Sequence, residues 1–171
     1  MFTTGSAWFL GGSLSSNLLP NSAYLAPGSY NVTGTGGNDV GPFKASFTVP
    51  QPLAWTDQTQ FVQVSRSQPL AIAWTGGQSG QLAGVVGFSV DLPSNSSTVF
   101  ACLAPAGAHN LTVPAAILTN LPATRPNVLQ SKSVIYLVSL LPSAATTLQA
   151  SGLDAGQVIS SYISGKTVIW Q

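Results

Sequence analysis

The stretch LAIAWTGGQSGQLAGVVGFSV, Leu70 to Val90, carries no charged side chain, and none follows until Asp91. A chain can leave so long a run uncharged in a membrane helix or in secondary structure that buries much of it. Gly, Gln and Ser interrupt the run every few residues, which a span of about 20 apolar residues does not tolerate. Short strands and turns are the remaining solution. Within the run, LAIAWT places Leu70, Ile72 and Trp74 on one face, the two-residue period of a half-buried strand.

The same period recurs along the chain. PFKASFTVP sets Phe43, Ala45, Phe47 and Val49 against Lys44, Ser46 and Thr48. Similar runs fall at 29–33, 53–56, 61–65, 85–90, 98–103, 110–113, 134–140, 146–151, 157–163 and 167–170. About a dozen short strands separated by turn signals predict an all-β fold, an antiparallel sandwich of the immunoglobulin-like type. One short helix is expected at 115–120, where Pro114 opens VPAAILTNLP and Pro122 closes it. Composition agrees: Glu is absent and Lys and Arg are scarce, while 17 Gly and 12 Pro supply the punctuation. Between the two sheets the pattern places Trp74 with Leu70, Ile72, Phe88 and Phe100.

A chain of 171 residues is one large domain or one domain with a fragment. Pro50-Gln51-Pro52 is the best boundary, since proline interrupts any ladder it enters. Residues 1–50 then form an N-terminal β-strand segment, an incomplete Ig-like module, and residues 53–171 the Ig-like sandwich. The opening MFTTGSAWFLGG lacks a basic start and a long apolar core, so it is not read as a signal peptide.

Only 5% of residues are charged, five basic against four Asp, for a net charge of +1. Without a Lys/Arg cluster there is no footprint for phosphates, so no nucleic-acid partner is expected, and no segment is expected to span a membrane. Solubility rests on uncharged polar side chains, a composition typical of exported bacterial surface proteins, and the expected location is secreted or at the cell surface. Cys102 stands alone and forms no intrachain disulfide.

The ordered series YLAPGSYNVTGTGGNDVGPFKASFTVPQPLAWT, VSRSQPLAIAWTGG, FACLAPAGAHNLTVPAAILTNLP, ASGLDAG and TVIWQ resembles the C-terminal region of uncharacterised Ig-like β-sandwich proteins exported by soil-type bacteria. The resemblance spans residues 24–171. It implies an exported β-sandwich and transfers no activity, ligand or catalytic residue.

The residues themselves offer little chemistry. A Ser-His-Asp hydrolase would draw on His109 and on Asp91 or Asp154, yet no G-x-S-x-G elbow is present and His109 lies in the turn PAGAHN. Cys102 sits in an apolar strand, where a thiol is ordinarily buried and inert. One His, one Cys and four scattered Asp make no metal-ligand spacing, and Asp39 in GGND and Asp154 in GLDAG read as turn residues. No catalytic residue, metal site or cofactor is expected. Asn31, Asn95 and Asn110 head sequons that matter only where the source glycosylates them.

What remains is binding. Trp55, Trp74, Tyr30 and Phe43 each share a face with apolar neighbours and read as core, which leaves Trp8, Tyr24, Tyr162 and Trp170 to face a ligand. The expected function is a non-enzymatic extracellular structural or adhesive protein that partners itself or other surface proteins. It would build a fibre or surface layer by strand addition, and the lightly guarded KTVIWQ segment is either donated to a neighbouring copy or used to close its own sandwich. The alternative is a carbohydrate-binding module with a polysaccharide partner.

Overall fold

The alternation in Leu70–Thr75 seats the core: Leu70, Ile72 and Trp74 are buried, whereas Ala71 and Thr75 are exposed. The computed structural model describes residues 6–9, 12–15, 26–125, 127 and 131–171. Two hairpins come first, β1 (Ser6–Phe9) with β2 (Gly12–Ser15) and β3 (Gly28–Gly34) with β4 (Phe43–Val49). Next are the short β5 (Ala54–Trp55) and β6 (Gln63–Val64), then β7 (Leu70–Thr75), β8 (Leu82–Asp91), β9 (Ser96–Pro105) and β10 (Asn110–Val113). After the single-turn helix α1 (Ala115–Leu118) follow β11 (Ser131–Leu140), β12 (Thr146–Leu148), β13 (Gly156–Val158), β14 (Ser161–Thr167) and β15 (Ile169–Trp170). The chain is all-β, and its one α-helix among the described residues lies within the expected span. The predicted strand at 157–163 divides into β13 and β14.

Two antiparallel sheets form the sandwich, a four-stranded one in the order β14-β11-β8-β9 and a three-stranded one in the order β10-β7-β5. Their inward side chains make one cluster that includes Ile72, Trp74, Val85, Phe100, Ile135 and Leu137. Trp74 is 1% exposed, and its indole N–H donates to the Ala106 carbonyl at 2.8 Å. A buried tryptophan so anchored contributes both apolar area and a fixed orientation.

Phe88 is a correction to the predicted core. On β8 the inward positions are Ala83, Val85, Gly87, Ser89 and Asp91, so Val86, Phe88 and Val90 point the other way. Glycine at 87 makes room on the inner side for the Phe100 ring, which a Cβ at that position would strike. Ser89 can be fully buried because its hydroxyl is shared with that of Ser133 at 2.9 Å and reaches the Pro122 carbonyl at 2.8 Å.

The C-terminal strand closes its own sandwich. β15 runs parallel to β6, with Ile169 opposite Gln63 and Trp170 opposite Val64. The Trp170 backbone N–H donates to Thr124 Oγ1 at 2.9 Å, and the Arg66 N–H donates to the Gln171 carbonyl at 2.8 Å. Trp170 is 0% exposed and meets Phe100 edge-on at 6.5 Å between ring centroids, so it faces no ligand as had been expected of it.

Residues 26–50 lean on the hairpin that interrupts the path from β11 to β14. β4 lies against β12, the Ser160 hydroxyl donates to the Thr48 carbonyl at 2.6 Å, and the Gly41 N–H donates to the Ser151 carbonyl at 2.8 Å. Gly152, at φ +82°, lets that contact close, since a Cβ there would run into the Asp39 carbonyl. The proline-bounded link is pinned as well: the Gln51 carbonyl accepts from Gln81 Nε2 at 2.7 Å and from the Ser139 hydroxyl at 3.1 Å.

Candidate interaction face

The outward parity of β8 decides the surface of the four-stranded sheet. Register sets Phe88 between Val99 of β9 and Val134 of β11, and Val86 between Ala101 and Tyr136. The next pair of positions sets Gly84 between Leu103 and Val138. Val99 is 64% exposed, Leu103 60% and Tyr136 37%. Lys132 is the single charged side chain at the outward positions of β8, β9 and β11.

An antiparallel sheet with one face on water ordinarily puts polar side chains there and apolar ones inside. This sheet is apolar on both sides along much of its length, and serines share its inner side with the core. Ser89, Ser131, Ser133 and Ser139 are buried on its inner side, while valine, leucine, phenylalanine and tyrosine occupy the outer. From strand spacing and rise, five outward positions on each of β8, β9 and β11 and four on the shorter β14 cover a face about 30 Å by about 18 Å at its widest, roughly 500 Å². An apolar patch of that size lies toward the upper end of what an ordinary monomer exposes, and such patches are often functional.

The inner side of the sheet ends at an ion pair. Arg125 holds Asp91 through Nη2, at 2.6 Å to Oδ2 and 2.7 Å to Oδ1, and through Nε at 3.0 Å. The Ser94 hydroxyl also donates to Oδ2. Ser94 first and Arg125 second hold the Asp91 carboxyl below its ordinary value of 3.8, against the opposing effect of burial. Because the folded-state value is the lower one, the stabilisation is fully present above the unfolded value of about 4 and is lost as pH falls through the folded value. In urea unfolding from about pH 6 to about pH 2, the stability gap between the wild type and Asp91→Asn is therefore expected to close below about pH 4. A gap that stays constant across that range would show that the ionised carboxylate is not what Arg125 stabilises.

The remaining predicted positions do not converge. Tyr162 is half-buried and lines a cleft of about 380 Å³ with Pro52, Leu53, Leu137, Ser139 and Ser164, between the edge of β14 and the segment entering β5. Gln58 spans its rim, donating from Nε2 to Ser164 Oγ at 3.0 Å and to the Gly165 carbonyl at 3.1 Å. Burial, and secondarily the nearby Tyr30, push the Tyr162 phenol up. Tyr24 lies outside the described residues, and so does the side chain of Trp8, which occupies β1.

His109 is exposed and closes a turn at φ 60°, its N–H donating to the Ala106 carbonyl and its carbonyl accepting from the Trp74 N–H at 3.0 Å. Cys102 is half-buried, and burial pushes its thiol up, away from the nucleophilic thiolate. Asp57 is spent on structure, accepting from Trp55 Nε1 at 2.8 Å and from the Ala73 N–H at 3.2 Å. Among the described residues no group of three or more His, Cys, Asp or Glu could hold a metal ion. No described helix is long and apolar enough to cross a membrane.

Comparison with protein-family models, with curated proteins and with solved structures finds no match. The apolar outer face was the feature that sequence reasoning missed. Its signal was the unbroken apolar run Leu82–Phe88, which satisfies both faces of a strand at once.

Proposed function

We propose that the chain is a non-enzymatic, Ig-like structural or adhesive module that acts outside a bacterial cell by protein–protein contact through the outer face of its four-stranded sheet. The apolar outer face carries this reading: valine, leucine, phenylalanine and tyrosine stand at the outward positions of strands whose inner side already supplies the core. Low charge, a surface made soluble by uncharged polar groups and the resemblance over residues 24–171 support export. The carbohydrate-binding reading draws on Tyr162 and its cleft, but Trp170 has withdrawn into the core and supplies no second platform.

Display of the chain on cells that do not otherwise clump tests the proposal. Clumping, or attachment to a protein-coated surface, is expected with the wild type and with Tyr162→Ala, and is lost in the double variant Val99→Lys, Leu103→Lys. Attachment that survives the double variant, or that soluble polysaccharide abolishes, would overturn it.

A further inference from the structure

We infer that the outer face of the four-stranded sheet is covered by the same face of a second copy, the two sheets stacked about a two-fold axis that runs across the strands. This rests on the proposed contact role of that face and names its occupant.

The chemistry of the face narrows what can cover it. β8 and β11 are paired on both edges, so their backbone groups are already used in the ladder. At the outward positions of the four strands the side-chain polar groups are the Tyr136 hydroxyl, Lys132 and Ser97 at one end, and Ser161 and Thr167 at the two ends of the edge strand β14. A sugar or an extended peptide needs donors and acceptors beside its apolar contacts, and the middle of this face supplies almost none. Another apolar sheet requires none, and sheets stack at about 10 Å with interdigitated side chains.

Relief and area point the same way. Tyr136 lies across Gly165, where a Cβ would meet its ring at 2.8 Å, and Leu103 lies across Gly84, where a Cβ would meet its Cδ2 at 3.2 Å. Large side chains thus lie down over glycines, and the face stays flat. Two such faces of roughly 500 Å² bury about 1,000 Å² together, the lower limit for a specific interface. A concentration-dependent dimer follows, not an obligate one.

Charge selects the axis. Lys132 sits at one end of the face, level with Val90 and Ser97, and no anion faces outward to meet it on these strands. An axis along the strands would bring the two Lys132 ammonium groups to the same end. An axis across the strands, through the line of Tyr136, Val86 and Ala101, sends them to opposite ends about 25 Å apart, where each reaches water beyond the apolar contact. On that axis Ala101 faces its own copy.

Sedimentation velocity of the full chain over a wide concentration range tests the occupant. A reversible monomer–dimer equilibrium is expected. Val99→Lys and Leu103→Lys, each at a largely exposed position, should weaken it about tenfold or more while the melting temperature holds. In a Cys102→Ser background, Ala101→Cys should be captured as a covalent dimer by a short bis-maleimide, and Lys132→Cys should not. A wild type that stays monomeric at every concentration would overturn the second copy as occupant, while face-dependent adhesion in the display assay would still stand. A dimer that ignores both lysine substitutions would place the contact elsewhere. Equal cross-linking at positions 101 and 132 would overturn the axis.

Discussion

Trp74→Ala is expected to lower the unfolding free energy by about 3–5 kcal/mol, the usual cost of truncating a fully buried large aromatic. The indole is 1% exposed and sits within the cluster shared by both sheets, so its loss removes apolar burial and leaves a cavity that rigid strands cannot collapse around. It also removes one of the two donors to the Ala106 carbonyl, which accepts from Nε1 at 2.8 Å and from the His109 N–H at 3.2 Å. Trp74→Phe separates the two effects, since it keeps most of the packing and forfeits the hydrogen bond, at about 0.5–1.5 kcal/mol. Urea unfolding of the three proteins gives both numbers. A Trp74→Ala protein with an unchanged midpoint would mean that the tryptophan does not lie between the sheets.

The second large effect belongs to the C-terminal strand. Trp170→Ala is expected to cost a similar amount, about 3–5 kcal/mol. A chain ending at Gly165 is expected to lose its cooperative transition altogether. That truncation removes Val168 and Trp170, 2% and 0% exposed, together with the parallel pairing to β6 and the bonds to Thr124 and Arg66. Circular dichroism during thermal unfolding distinguishes the outcomes. A truncated chain that still melts sharply would release the strand from its structural role and make its donation to a neighbouring copy the better account.

Much of the fold was legible because most strands alternate cleanly. Leu70, Ile72 and Trp74 against Ala71 and Thr75 leave one choice of inward face, and Pro114 marks the start of the short helix without ambiguity. Phe88 failed for a physical reason. In Val85-Val86-Gly87-Phe88-Ser89 either parity puts apolar atoms inside, and size alone favours phenylalanine. The decision was made elsewhere, by the Phe100 ring lying over Gly87 and by Ser133 and the Pro122 carbonyl waiting for the Ser89 hydroxyl. Those partners are distant in sequence, and no local pattern reports them. Trp170, by contrast, could have been found. Val168 and Trp170 alternate on one side of the final strand, the same parity that placed Trp74 in the core.

The outer face was hidden by the same mistake. Once Phe88 is assigned inward, the apolar positions of β9 and β11 lose their common partner, and Val99 and Tyr136 read as isolated exposures of the kind every surface has. Register turns them into one surface.

The parallel pairing of β15 with β6 also has a temporal side. It joins Trp170 to Val64, so one side of the barrier to folding is the closure of a very long loop, a slow event in any chain. During synthesis the sheets can begin to pair, but the pocket that Trp170 fills stays open until that residue has left the ribosome. Until then the core lacks the ring that packs edge-on against Phe100, and the sandwich is open on that side.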